Sequence, residues 1–196
     1  MALVSTRGKL IREERGYSLV ELLVVMAILS VVVGALTTLF VRATNAQADL
    51  NNRFQAQQTA RVALDKIRRE THCGSAAVAS GTPATIAGVA YYPTVTVTVS
   101  GCASGNFTWC TAAVNGSTTR FALYRYATLP ATCGTTAGGI QWADFLQRGT
   151  VFALPTPATG SKSSLTIDLP VNVKPSSSFE AYELVGNIFL RNSPRA

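Results

Sequence analysis

Four cysteines are the residues of this chain whose chemistry is easiest to read. Cys73, Cys102, Cys110 and Cys133 form no CxxC pair, and His72 is the only histidine, so a zinc site is poorly supported. An even number of cysteines in a region expected to be exported predicts two disulfides. The spacing leaves three pairings open. Our first expectation is Cys102–Cys110, because the intervening segment could turn between strands, and Cys73–Cys133 is then the second bridge.

Glu21 is the second residue whose position calls for a chemical explanation. It stands at the start of residues 22–41, a run of twenty residues without one charge. As a helix, such a run rises about 30 Å, the thickness of the hydrocarbon core of a bilayer. An unpaired carboxylate at membrane depth is costly, which favours a functional partner. The alternative is that Glu21 lies at the headgroup level and is solvated.

The residues that flank the run predict its orientation. Four basic residues precede it (Arg7, Lys9, Arg12 and Arg15), partly offset by Glu13 and Glu14. Basic residues before a span keep that side cytoplasmic, so the N-terminus stays inside and the rest of the chain is exported. A cleaved secretory signal fits less well, because its apolar region is only about 7–15 residues long.

Residues 15–23, RGYSLVELL, resemble the class III signal of type IV prepilins and type II secretion pseudopilins. In that family a basic leader ends in Gly, an aromatic residue follows, and a Glu stands five places after the Gly. The resemblance implies that a prepilin peptidase cuts after Gly16 and methylates the new amino group of Tyr17. It also implies that Glu21 pairs with the terminal amine of a neighbouring subunit in a filament.

Two departures from the family pattern bear on the subunit's role. Tyr17 replaces the commoner Phe, and Thr38 stands where many members carry a Pro. Gly34 is then the main weak point of the helix, at a cost of about 1 kcal/mol relative to Ala. With the mature length and the four cysteines, the absence of the Pro favours a minor subunit. The implied partners are prepilin peptidase, other pilin or pseudopilin subunits and the membrane.

The helix is predicted to continue beyond the membrane as one element over residues 17–71. An apolar stripe with a spacing near 3.5 residues supports this: Ala43, Ala46, Leu50, Ala60, Leu64 and Ile67. Gly74 offers a stop. The predicted divisions are a cytoplasmic leader (1–16), a transmembrane helix (17–41), its amphipathic continuation (42–73) and an exported β-rich domain (74–196).

The remainder of the chain has the pattern of a β domain. Residues 74–90 are small and weakly patterned, which indicates a connecting loop with at most one short strand, and residues 141–147 are interpreted as a helical turn. Five stretches have strand composition: 94–100, 106–111, 120–128, 165–173 and 182–191. One long N-terminal helix followed by strands predicts an α+β, pilin-like fold, with the helix packed on an antiparallel sheet.

Evidence for an enzyme is thin. The sequence contains no G-x-S-x-G, H-E-x-x-H, P-loop or GxGxxG motif, and its acids are scattered, so neither a metal nor a cofactor is expected. Tyr124-Arg125-Tyr126 could stack the bases of a single-stranded nucleic acid, but such residues are more often half-buried sheet positions. Nucleic acid therefore stays a possible but less favoured partner.

Composition is compatible with a folded, exported protein. Hydrophobic residues make up 47% of the chain and charged residues 14%, which argues against disorder, and the net charge is +7. The function predicted is a structural subunit, minor in its filament, of a type IV pilus or a type II secretion-like pseudopilus. The destination is the cell membrane and then a filament. The alternative is a membrane-anchored extracytoplasmic binding protein or enzyme with a prepilin-like signal anchor.

Overall fold

A computed structural model describes residues 17–99, 105–134, 138–174 and 181–195. The chain divides into two compact units, one ending at Ala48 and the other beginning at Asp49. In the first unit the described residues belong almost entirely to helix α1, which begins at Leu19 and ends at His72. Each of residues 17–48 is exposed, so this stretch buries no side chain within its own unit.

Hydroxyl groups inside the apolar stretch are satisfied by the helix itself. Ser30 Oγ donates to the carbonyl of Ala27, and Thr38 Oγ1 donates to the carbonyl of Ala35, each at 2.8 Å. Such back-bonding to the preceding turn hides the polarity of Ser and Thr side chains within a helix. Thr38 is therefore compatible with an unbroken apolar helix, where a Pro would remove a backbone bond.

The second unit packs the end of α1 on an antiparallel sheet. The helix buries Ala56, Ala60, Ala63, Leu64 and Ile67 along one face. This confirms the predicted helix and the later part of its stripe. Ala43, Ala46 and Leu50 are exposed, so the prediction that the stripe packs on the sheet was wrong for this part of the helix. Apolar residues recur there at helical spacing, but no sheet covers them.

Within the described residues ten strands follow the helix, and all their pairings are antiparallel. The main sheet has the order β1-β4-β5-β6-β7-β9-β10, with β8 beside β9, and β2-β3 form a separate hairpin. The bounds are β1 Gly74–Ser80, β2 Ala84–Ile86, β3 Val89–Tyr91, β4 Thr94–Val99, β5 Gly105–Ala113, β6 Phe121–Tyr126, β7 Ile140–Leu146, β8 Phe152–Ala153, β9 Ser164–Val171 and β10 Tyr182–Phe189. The predicted α+β class is confirmed.

Two local predictions were wrong. Three strands, β1, β2 and β3, begin within residues 74–90, where a connecting loop with one short strand was expected. Strand β1 forms because β4 pairs with a segment of small residues whose own β-propensity is low. Residues 140–146 form strand β7 rather than a helical turn. The pairing of β7 with β6 shifts register twice, and this irregularity interrupts the alternation that identifies a strand.

The two ends of the sheet meet beside the end of α1. Arg191 N donates to the carbonyl of His72, and Asn192 N donates to the carbonyl of Gly74, at 3.2 and 3.1 Å. A Cβ on Gly74 would lie 2.8 Å from the carbonyl oxygen of Thr71, so only glycine fits this junction without a shift. His72 itself is exposed, as expected for a residue at a helix end.

Candidate functional site

Glu21 stabilises the first turn of helix α1. Ser18 directly precedes the helix, and its backbone N–H donates to Glu21 Oε2 at 3.4 Å. The first helical bond runs from Leu22 N to the carbonyl of Ser18, at 3.1 Å. A Ser before the first turn with a Glu three residues later is a capping box, in which the Glu side chain satisfies a free backbone donor. Glu21 therefore has a local partner in the single chain.

Tyr17 lies beside this acid. Its side chain is 85% exposed, and Tyr17, Glu21, Leu22 and Val25 line one shallow surface groove. The structure thus places the predicted first residue of the mature chain next to the predicted assembly acid. Gly16, the predicted cleavage position, lies outside the described residues.

The stretch that follows can cross a membrane. Among the described helices, α1 alone is long and apolar enough by length and composition, with a mean hydropathy of 2.8 over its most apolar window. No residue of that window is buried. A signal sequence near an N-terminus also meets this criterion of length and hydropathy. Large exposed side chains such as Leu29, Val31, Leu36 and Phe40 need an apolar environment, either lipid or other helices.

One disulfide is defined, and it corrects our first expectation. Cys110 is bonded to Cys133, with Cα atoms 6.1 Å apart. Cys102–Cys110 and Cys73–Cys133 were therefore wrong. The residues just before Cys110 belong to strand β5 and extend rather than turn, while the loop after β6 brings Cys133 to the strand. Cys73 is also disulfide-bonded, and Cys102 lies outside the described residues.

A buried ionic cluster ties α1 to the sheet, and sequence reasoning missed it. Glu70 accepts hydrogen bonds from Trp109 Nε1 at 3.0 Å and from Arg125 Nε at 2.8 Å. Lys66 Nζ lies 3.1 Å from the same carboxylate. The side chain of Glu70 is only 7% exposed. The polar sequence around Glu70 does not indicate that this side chain is buried. Its partners Trp109 and Arg125 are 39 and 55 residues away along the chain.

The triplet Tyr124-Arg125-Tyr126 lies on β6 and contributes its arginine to this cluster. Arg125 is paired with Glu70, and its guanidinium lies 4.4 Å from the centre of the Phe107 ring. Tyr126 is 3% exposed, and its hydroxyl accepts from Gly134 N at 3.1 Å. These contacts favour the half-buried interpretation of the triplet over a base-stacking platform.

Perturbed pKa values mark ion pairs of the second unit. Lys174 holds the pKa of Asp49 below its usual value by donating to the carboxylate, and Asp144 raises the pKa of Arg120 in the same way. Burial raises the pKa of Asp168 and outweighs the nearby Arg148 guanidinium, which acts in the opposite direction. Within the described ranges no group of three or more His, Cys, Asp or Glu side chains could hold a metal ion.

Comparison with known proteins identifies the first part of the chain. Residues 11–37 match the family model described as the prokaryotic N-terminal methylation motif. The chain carries a type IV prepilin-like signal. This prepilin-like signal supports a pilin- or pseudopilin-like subunit rather than an enzyme, and with the apolar helix it indicates membrane anchoring. Neither the curated proteins nor the solved structures contain a match, so the β domain is described by its own structure.

Proposed function

We propose that this chain is a minor structural subunit of a type IV pilus or a type II secretion-like pseudopilus. One observation carries the proposal: the prepilin-like signal at residues 11–37 leads directly into a helix whose apolar part is entirely exposed. A helix of this kind is unstable in water, and lipid followed by the helices of neighbouring subunits would cover it in turn.

Processing follows from the signal. Prepilin peptidase cuts after Gly16 on the cytoplasmic side and methylates the amino group of Tyr17. The basic leader of residues 1–16 keeps the scissile bond at that face, residues 17–41 span the membrane, and residues 42–73 continue as helix. The domain of residues 74–196 is then exported, where an oxidising compartment allows disulfides such as Cys110–Cys133.

Glu21 changes partner on assembly. In the single chain its carboxylate accepts from the backbone N–H of Ser18, a contact at 3.4 Å that is long for a strong bond. In the filament it meets the positive terminal amine of a neighbouring Tyr17. Burial among apolar helices makes either charge costly without the other, so the pair selects the axial position of each subunit.

The subunit's own features favour a minor role. The mature length, the four cysteines and the Thr at position 38, where many members of the resembled family carry a Pro, support this role. A continuous helix at Thr38, whose hydroxyl bonds to Ala35, would resist the partial melting that a Pro allows.

Substitution of Glu21 tests the proposed function. Gln can replace Glu in a capping box but carries no charge, whereas Asp keeps the charge on a shorter side chain. Glu21→Gln and Glu21→Ala should both reduce incorporation strongly, because breaking a buried pair costs about 3–5 kcal/mol. Glu21→Asp should be intermediate. The measurement is the amount of each cleaved variant in sheared filaments, relative to its amount in the membrane.

The three variants separate the two roles of Glu21. Normal incorporation of Glu21→Gln with loss for Glu21→Ala would assign Glu21 to helix capping alone. Undiminished incorporation of Glu21→Ala would contradict the assembly role. The chain would then be a filament subunit whose axial position does not depend on this acid. Absence of the cleaved wild-type chain from sheared filaments would instead favour a membrane-anchored binding protein or enzyme that uses the signal only as an anchor.

A further inference from the structure

We propose that the groove between α1 and β7 binds a neutral oligosaccharide. It has a volume of about 470 Å³, within the range of small-molecule sites. Its described lining lies entirely in the second unit: Asn52, Gln55, Ala56, Gln58, Thr59, Asp144 and Phe145. A second depression shares Thr59 and Asp144 and extends the groove along β7 past Trp142.

The helix side of the groove presents free amides. Asn52, Gln55 and Gln58 are exposed and make no side-chain hydrogen bond within the described part of the chain. A carboxamide offers two donors and one acceptor in a plane. Three of them on neighbouring turns match a ligand that presents both donors and acceptors at short intervals, as the hydroxyl groups of a sugar do.

The strand side is electrically neutral. Both carboxylate oxygens of Asp144 accept from Arg120, one of them from Nε at 3.0 Å, so the one acid among the described lining residues is already compensated. An anionic or cationic ligand would find no unpaired charge in the lining. A purely apolar ligand would bury the free amides without partners, which is costly.

Aromatic rings and an unusual backbone complete this side. Phe145 has φ of 59°, a left-handed conformation that is rare for a bulky residue, and Arg120 lies 4.0 Å from the centre of its ring. Trp142 has a buried indole N–H with no hydrogen-bond partner among the described residues. Strained backbone concentrates at binding sites, and an unsatisfied buried donor is uncommon in a folded domain. Rings beside hydrogen-bonding groups suit the alternating apolar and polar faces of a pyranose.

Binding can be measured in the full-length protein, solubilised in lauryldimethylamine oxide because this detergent has no sugar headgroup. The chain has two tryptophans whose ring centres lie 5.9 Å apart, Trp142 beside the groove and Trp109 buried against Glu70, so a ligand in the groove should change the fluorescence of the pair. The probes are maltotriose, cellotriose and triacetylchitotriose. We expect a saturable change with at least one of them, with Kd of order 1 mM for an open groove.

Two adjacent asparagines give a matched pair of variants. Asn52 lines the groove and Asn51 does not, and both are exposed on α1. Asn52→Ala should weaken binding about fivefold, the effect of one neutral hydrogen bond, while Asn51→Ala should leave the affinity unchanged. Because the solubilised single chain is used, the result is independent of cleavage and filament assembly.

Several outcomes would overturn the proposal. Fluorescence that does not saturate with any of the three trisaccharides would do so, as would equal losses for Asn51→Ala and Asn52→Ala. A saturable response to triglycine alone would assign the groove to an extended peptide instead. Self-association that Asn52→Ala abolishes, with no response to sugars, would assign it to a second copy of this chain.

Discussion

At the scale of single residues, Glu70 holds the helix against the sheet through charge. Its carboxylate joins Trp109 on β5 and Arg125 on β6, so one helical residue bonds to two neighbouring strands. A buried acid with several donors stabilises a fold little more than an apolar residue of the same shape would. Removing the acid alone, however, leaves its buried partners without a counter-charge or acceptor. The cluster therefore fixes where α1 sits on the sheet of the second unit.

Removal of Glu70 should destabilise the domain. Glu70→Ala leaves Arg125, whose side chain is 17% exposed, without its counter-ion, and the free energy of unfolding should fall by about 3 kcal/mol. Denaturant unfolding of the full-length protein in micelles, followed by tryptophan fluorescence, measures this loss. Asp65→Ala is the matched control, because the Asp65–Arg69 pair is exposed and should contribute less than about 1 kcal/mol. Equal losses in the two variants would contradict the role of Glu70.

Asp168 should make the free energy of unfolding depend on pH in the opposite direction from an ordinary ion-paired acid. Burial raises its pKa above the usual 3.8, despite Arg148, and the nearby Glu183 carboxyl acts in the same direction as burial. The folded chain then binds the proton more tightly than the unfolded chain does. The stabilisation from this group is present at low pH and is lost as the pH rises through the raised pKa.

The comparison with Asp168→Asn isolates that contribution. The unfolding free energy of the wild type minus that of the variant should decrease as the pH rises from below 3.8 towards neutrality. Denaturant unfolding at several pH values gives this difference. A difference that increases with pH would mean that the Arg148 pair dominates over burial.

At the scale of elements, the disulfide joins the middle of the sheet to the loop after β6. Cys110 lies opposite Tyr124 in the pairing of β5 with β6, and Cys133 is 23 residues further along the chain. Gly74, next to Cys73, pairs with Val99 at the end of β4. Since Cys102 follows three residues later, a bridge between Cys73 and Cys102 is the expected second pair.

Peptide mapping tests this connectivity. A nonreducing digest of the denatured protein should contain linked peptides for Cys110–Cys133 and Cys73–Cys102, with no thiol that reacts before reduction. Replacing both Cys110 and Cys133 with Ala should lower the unfolding free energy by about 3 kcal/mol, the entropy of a loop of this length. A Cys102–Cys110 peptide would contradict the described pairing.

The elements differ in how far sequence determines them. The 54-residue helix was predictable, because its first half is a long apolar run and no Pro or Gly interrupts its second half. Strand β1 was not, since alanines become a strand only when the alternating Thr and Val residues of β4 pair with them. Strand β7 was obscured by the register shifts near Phe145. The Glu70 cluster depends on contacts between distant residues, which no local pattern encodes.

At the scale of the whole molecule, the two ends of the chain carry different information. The N-terminal part matches the methylation motif over residues 11–37, a segment that contains Gly16, Tyr17 and Glu21. The β domain carries no such motif. The groove beside α1 is the feature of that domain on which the proposed binding of a sugar rests.

The mass of the mature N-terminus tests the central claim most directly. When the chain is expressed with a prepilin peptidase, N-terminal peptide analysis of the membrane fraction should find a protein that begins at N-methylated Tyr17. Gly16→Val should block this cleavage, and Gly8→Val, a matched change within the same leader, should not. Recovery of the wild-type chain with its leader intact, from cells in which a known prepilin is cleaved, would contradict the assignment of a prepilin-like subunit.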